Sequence, residues 1–193
     1  MIRRIYLAGP DVFLADAPAV GRAKAELCRK FGFAGLFPLD AELAMEDLKG
    51  REAGLAIYRG NIELMRSADA ILANLTPFRG ASADVGTAFE VGFFAALQKP
   101  VYAYSGDPRP FAERCRECTG ATERHVDGNG FGIEDFNLPD NLMLPGAVQA
   151  MGGTWVARSS NREPKLAAFE AFEECLALLA ASAGDISRAA AAG

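Results

Sequence analysis

Ser82-Ala-Asp-Val-Gly-Thr-Ala-Phe-Glu-Val-Gly-Phe-Phe94 is the stretch whose reading decides the fold. It follows an apolar run, Ala70-Ile-Leu-Ala-Asn-Leu75, and a turn-rich segment, Thr76-Pro-Phe-Arg-Gly80. An apolar run, a turn and a helix-forming stretch read as strand, loop, helix. In open α/β sheets, ligands bind outside the carboxyl ends of the strands. This stretch puts two carboxylates there, Asp84 and Glu90.

Toward the N-terminus, residues 3–8 are a β-prone run closed by Gly9-Pro10, the first strand. Asp16 and Pro18 open a helix with Val20, Ala23, Leu27 and Phe31 as its stripe, and Gly32 stops it. Residues 34–38 form a brief second strand, and 39–50 an acidic connection. Residues 52–67 read as a second helix with Leu55, Tyr58, Ile62 and Met65 on one side. Toward the C-terminus, 99–104 is a fourth strand and 105–137 a long irregular segment. Residues 153–157 offer a fifth strand, and 165–181 an amphipathic helix striped by Leu166, Phe169, Phe172, Leu176 and Leu179. Strands alternating with helices call for a mostly parallel sheet covered on both faces. The expectation is a single α/β domain over residues 1–186, flavodoxin- or Rossmann-like, with five strands. The Ala-rich tail, 187–193, is expected to fray. The loops at 9–15 and 76–84 then face each other at one edge of the sheet.

The 193 residues suit one domain with a real core. A net charge of −5 argues against a nucleic-acid polymer or an anionic membrane as partner. The opening apolar run is too short for a signal peptide, and the last long apolar segment carries Glu170, Glu173 and Glu174. A cytoplasmic location is therefore expected. Cys28 and Cys175 sit in helical patterns and read as small buried residues. Cys115 and Cys118 form one CxxC, which supplies two ligands where a structural zinc wants four. No metal site is read, and the lone His125 lies in a loop.

Taken alone, Asp84 is an N-cap and Thr87-Ala-Phe-Glu90 a capping box. Three features point beyond that. Gly86 and Glu90 are i and i+4, so a ligand has room over the carboxylate. Gly92 interrupts the same helix at a cost of roughly 1 kcal/mol relative to alanine. Asp84 and Glu90 are also a pair in different settings, one on a loop tip and one inside a helix. Paired carboxylates suit cleavage of a glycosidic bond, one assisting the leaving group and the other attacking the sugar. The two readings separate cleanly. A cap turns Glu90 to the backbone at Thr87, whereas a nucleophile turns it into the cleft toward Tyr6.

Ile5-Tyr-Leu-Ala-Gly-Pro10, Asp84-Val-Gly-Thr-Ala-Phe-Glu-Val-Gly92 and Asn141-Leu-Met143 together resemble the nucleoside 2-deoxyribosyltransferases, over residues 4–145. The resemblance implies transfer of 2-deoxyribose between nucleobases, with side hydrolysis of deoxynucleosides. It makes Glu90 the nucleophile of a covalent, retaining mechanism and Tyr6 the group that orients it. Asp84 would contact the base and assist its protonation. Asp11 and Phe13 would meet the base, and Gly9 and Gly86 would line the substrate. Asn61 would face the substrate, at a position that is Asp in some members, and Asn cannot titrate. Asn141 and Met143 would reach into the site of a neighbouring subunit in a homodimer or higher homo-oligomer. Deoxynucleosides and free nucleobases are the implied partners, in purine salvage, with no metal or organic cofactor.

Two alternatives stand beside this. A 2′-deoxynucleoside 5′-monophosphate N-glycosidase would share the catalytic Glu, but would need a first loop that donates N–H groups to a phosphate. Here Pro10 has no N–H, and Asp11 and Asp16 add negative charge. A non-catalytic nucleoside or nucleotide sensor on the same fold would bind without turnover.

Overall fold

Strand β1 (Arg4–Ala8) is the centre on which the sheet is laid. In a computed structural model that describes residues 2–38, 49–121, 123 and 125–191, with side chains to residue 183, it pairs in parallel with β2 (Ala34–Leu36) and β3 (Ala70–Asn74). Strand β4 (Val101–Ser105) continues from β3, and β5 (Trp155–Ala157) closes the edge. The order is β2-β1-β3-β4-β5, every pairing parallel. The chain therefore runs outward from β1 to β2 and then returns past β1 to β3. That reversal leaves a crevice between the carboxyl ends of β1 and β3.

Both faces of the strands are apolar, as a sheet covered on both sides requires. Ile5, Leu7, Leu72, Tyr102 and Tyr104 face one layer, built from α1 (Ala17–Lys30) and α6 (Phe169–Ala191). Tyr6, Ala8, Ile71, Ala73, Val101 and Ala103 face the other. That second layer holds α2 (Gly50–Ser67), α3 (Val85–Ala96) and α5 (Met143–Ala150). The five-stranded α/β domain expected from the sequence is thus present, and its sheet is wholly parallel.

Four local readings change. The irregular segment at 105–137 contains a helix, α4 (Phe111–Thr119), with Cys115 and Cys118 on it. Helix α1 is turned from its expected face: Val20, Gly21, Lys24 and Cys28 are buried, whereas Ala23 and Phe31 are exposed. Asp16 stands at the N-cap of α1 but makes no side-chain cap bond. On α2, Met65 is buried but Leu55 and Tyr58 lie open. The acidic connection lies outside the described residues over 39–48, and α6 runs on through Ala191.

Candidate active site

Tyr6 lies wholly buried on β1, packed against Phe94 of α3. Its hydroxyl donates to Glu90 Oε1 at 2.5 Å, so the Glu90 carboxylate turns toward the sheet rather than to the backbone at Thr87. The cap of α3 is Asp84, whose Oδ2 accepts from Thr87 N at 3.0 Å and from Thr87 Oγ1 at 3.2 Å. Asp84 Oδ1 has no partner among the described residues. One carboxylate therefore starts the helix and keeps an oxygen open, and the other sits a turn and a half further on against Tyr6.

The electrostatics separate the pair. Burial pushes the Glu90 carboxyl up to about 7, the Tyr6 hydrogen bond pulls it down, and the charge on Asp84 pushes it up again. Burial, with the charge on Glu90, raises the Tyr6 hydroxyl far out of reach of ionisation, so it stays a donor. A Cβ on Gly86 would lie 3.0 Å from Asp84 Oδ2, so any side chain there would press on the cap. A Cβ on Gly92 would meet nothing within 4 Å among the described residues, so no close approach there accounts for the glycine.

The first loop departs from expectation. Asp11, placed against the base by the resemblance, is only 2% exposed. Its Oδ1 accepts from Lys24 Nζ at 2.8 Å and its Oδ2 from Asn74 Nδ2 at 3.0 Å. Lys24 also donates to the Tyr104 hydroxyl at 2.7 Å, and Asn74 to the Leu166 carbonyl at 2.8 Å. Asn74 Oδ1 accepts from Thr76 N and Oγ1. Asp11 therefore ties the ends of β1 and β3 together, with both its oxygens engaged. Its charge is offset by Lys24, so it no longer argues against a phosphate. A Cβ on Gly9 would fall 2.6 Å from both Asn74 Cβ and Asp11 Oδ2, so packing requires that glycine. Phe13 is 54% exposed at the crevice, and its ring stacks on Phe78 of the facing loop, centroids 5.2 Å apart.

The nucleoside 2-deoxyribosyltransferase family model matches residues 5–143. That span begins at β1, beside Tyr6, and ends at Met143.

The chain belongs to the nucleoside 2-deoxyribosyltransferase family.

Among solved structures it resembles the 2-desoxiribosyltransferase from Leishmania mexicana, with 33% identity and a TM-score of 0.61 over 89% of this chain and 97% of that one. A conserved protein from Enterococcus faecalis, 18% identical with a TM-score of 0.53, covers 90% of this chain and 99% of its own and shares the fold. An uncharacterized protein of Schizosaccharomyces pombe is 29% identical over 165 residues, 77% of this chain and 78% of that one.

The remaining expected residues lie on α2 and around the start of α5. Asn61 lies on α2, and its Oδ1 is buried with no partner among the described residues. Asn141 Nδ2 is held by Glu134 at 3.0 Å, while its Oδ1 accepts from Met143 N. Met143 is 70% exposed and projects from the start of α5. Sequence reasoning missed the support beneath these residues. Buried Asp140 accepts from Ser82 Oγ, Ala83 N and Asn141 N, next to the buried Arg114. Arg114 in turn donates to the Ala81 and Pro139 carbonyls. These bonds fix the turn that delivers Asp84. No periodicity marks them, because Ser82, Ala83, Arg114 and Asp140 come from separate parts of the chain. A polar cavity of about 490 Å³ between Pro110, Glu113, Arg116, Glu123 and Asn137 contains neither paired carboxylate.

Proposed function

We propose that this chain transfers 2-deoxyribose from one nucleobase to another through a covalent ester on Glu90, with retention at C1′. Ionised Glu90 attacks C1′, the C1′–N bond breaks, and its electron pair leaves on the base. Asp84, with one oxygen open beside the crevice, contacts the departing base and assists its protonation. A second base then attacks the ester and restores Glu90, while attack by water gives side hydrolysis. The observation that carries this reading is the 2.5 Å bond from Tyr6 to Glu90 at the end of a strand–loop–helix unit. That bond holds the nucleophile in one orientation and favours its ionised form. With its pKa near 7, Glu90 is substantially ionised at neutral pH and is also a fair leaving group in the second step.

Asn61 supports the reading, since a buried amide oxygen without a donor suits a substrate hydroxyl. Phe13 contributes an exposed ring to the base, and Gly86 leaves the approach open. Asp11 and Gly9 shape the loop from beneath. Asn141 and Met143 reach the site of a second copy, so the working unit is a homodimer or a larger homo-oligomer. Free deoxynucleosides are the substrates, because Pro10 still offers no N–H to a 5′-phosphate. The setting is purine salvage in the cytoplasm.

The test is base exchange between deoxyinosine and adenine, run beside hydrolysis of deoxyinosine monophosphate. Glu90→Ala is expected to lose exchange by at least ~10³-fold, a catalytic step's worth of acceleration. Intact-protein mass measurement is expected to find a deoxyribosyl adduct that the variant lacks. Full exchange by the variant, or cleavage of the monophosphate alone, would overturn the proposal. Tight nucleoside binding without turnover would mark a sensor instead.

A further inference from the structure

We propose that Arg79 reads the exocyclic oxygen of the nucleobase and makes this site favour oxo-bases, hypoxanthine and guanine, over adenine. The inference rests on the transferase reading above and adds to it a residue that sets the substrate class.

Two loops flank the crevice between β1 and β3, and each contributes one ring. Phe13 comes from the first and Phe78 from the second, their planes within 7° of parallel. The guanidinium of Arg79 lies 5.0 Å from the Phe13 centroid and 4.7 Å from that of Phe78. The exposed Phe13 ring, its half-buried parallel partner Phe78 and a flat cation form a surface suited to a planar heterocycle. Among the described residues no hydrogen-bond acceptor or carboxylate engages Arg79, in a chain where Arg29, Arg109, Arg158 and Arg162 are each paired with an acid. Its backbone sits at φ 57°, in the left-handed region that a non-glycine residue avoids. Glycine follows at position 80, yet the left-handed residue is the arginine. Such strain gathers at sites where a side chain must be aimed.

The chemistry follows from the donor inventory. Arginine has only donors, so it pairs with a carbonyl oxygen and opposes the amino group that adenine presents at the same place. The departing base carries the electron pair of the broken C1′–N bond. In an oxo-base part of that charge rests on the carbonyl oxygen, where a guanidinium stabilises it. Arg79 gives a hydrogen bond and no proton, so protonation of the base stays with Asp84.

Arg79→Met keeps length and ring contact and leaves the left-handed backbone as it was, but removes every donor. Arg79→Lys keeps charge without the planar fork. Cleavage is measured on deoxyinosine, deoxyguanosine, deoxyadenosine and deoxyinosine monophosphate. Calorimetric titration with hypoxanthine and with adenine reads base preference without turnover. For Arg79→Met, kcat/KM on the two oxo-nucleosides is expected to fall roughly tenfold to hundredfold, and on deoxyadenosine less than about threefold. Hypoxanthine affinity is expected to fall and adenine affinity to hold, with Arg79→Lys intermediate. Equal loss on all nucleosides, or no loss on any, would overturn the proposal. So would a loss confined to the monophosphate, which marks a phosphate contact. If the parent protein turns nothing over, the transferase reading fails, and the titrations still decide whether Arg79 discriminates the bases.

Discussion

Glu90 meets two demands at once. In the proposed mechanism it must be buried enough to keep water from the ester, yet it must ionise to attack. Burial dominates and pushes its carboxyl to about 7, with the Tyr6 hydroxyl working in the opposite sense. A folded-state pKa raised above the unfolded value has a definite consequence for stability. The contribution is fully present below about 4.5, and it is lost as pH rises through about 7. Glu90→Gln removes that loss while keeping an acceptor for Tyr6. Thermal melts should place this variant close to the parent near pH 5 and several degrees above it near pH 8, a gap on the order of 2 kcal/mol. A gap that does not change with pH would show that Glu90 is not buried as described. In sequence, Glu90 was equally a capping-box residue. The spacing to Asp84 was legible there, but the direction of the carboxylate was not, because Tyr6 stands 84 positions away.

At the scale of an element, the first loop owes its position to helix α1. Its 3.6-residue pattern predicted the helix, but not the inward turn of a lysine. Lys24 is 1% exposed, paired with Asp11 and set 5.0–5.6 Å from the Tyr104, Phe169 and Phe172 ring centroids. Burial lowers its pKa and Asp11 works to restore it. Taking one partner from such a pair strands a buried charge, at about 3–5 kcal/mol, whereas removing both is far milder. In urea unfolding, Lys24→Met should lose about that much stability, and Lys24→Met with Asp11→Asn should lose clearly less. Additive losses would mean that Asp11 and Lys24 are not coupled. Asp11 itself illustrates what a motif conveys. Its place after Gly9-Pro10 was readable, but its partners lie on α1 and β3.

Across the whole molecule, an apolar face remains open. Val85 is 85% exposed on α3, and Phe89 lies one turn on, 6.4 Å from the Tyr58 ring of α2. Leu55, Leu142 and Met143 are exposed as well. Gly92, where a Cβ would meet nothing among the described residues, lies on α3 two turns beyond Val85. The proposed homo-oligomer would seat a second copy on this face and bring Asn141 and Met143 to a neighbouring site. Phe89→Glu puts a charge into that face. Light scattering should find the parent as a dimer or larger and the variant as a monomer with an unchanged melting profile. An oligomer that survives the substitution would place the interface elsewhere.

By itself the sequence determined the order of the five strands and of helices α1, α2, α3 and α6, the parallel sheet and the pair Asp84 and Glu90. Each of these is written locally, in periodicity, turn residues and caps over a dozen positions or fewer. Tertiary structure decided what distance along the chain conceals. It turned Glu90 to Tyr6, sealed Asp11 against Lys24, hung the Asp84 turn on Asp140 and Arg114, and laid Arg79 over two rings from separate loops. These contacts form only when the sheet brings the carboxyl ends of its strands to one edge, so no local pattern encodes them.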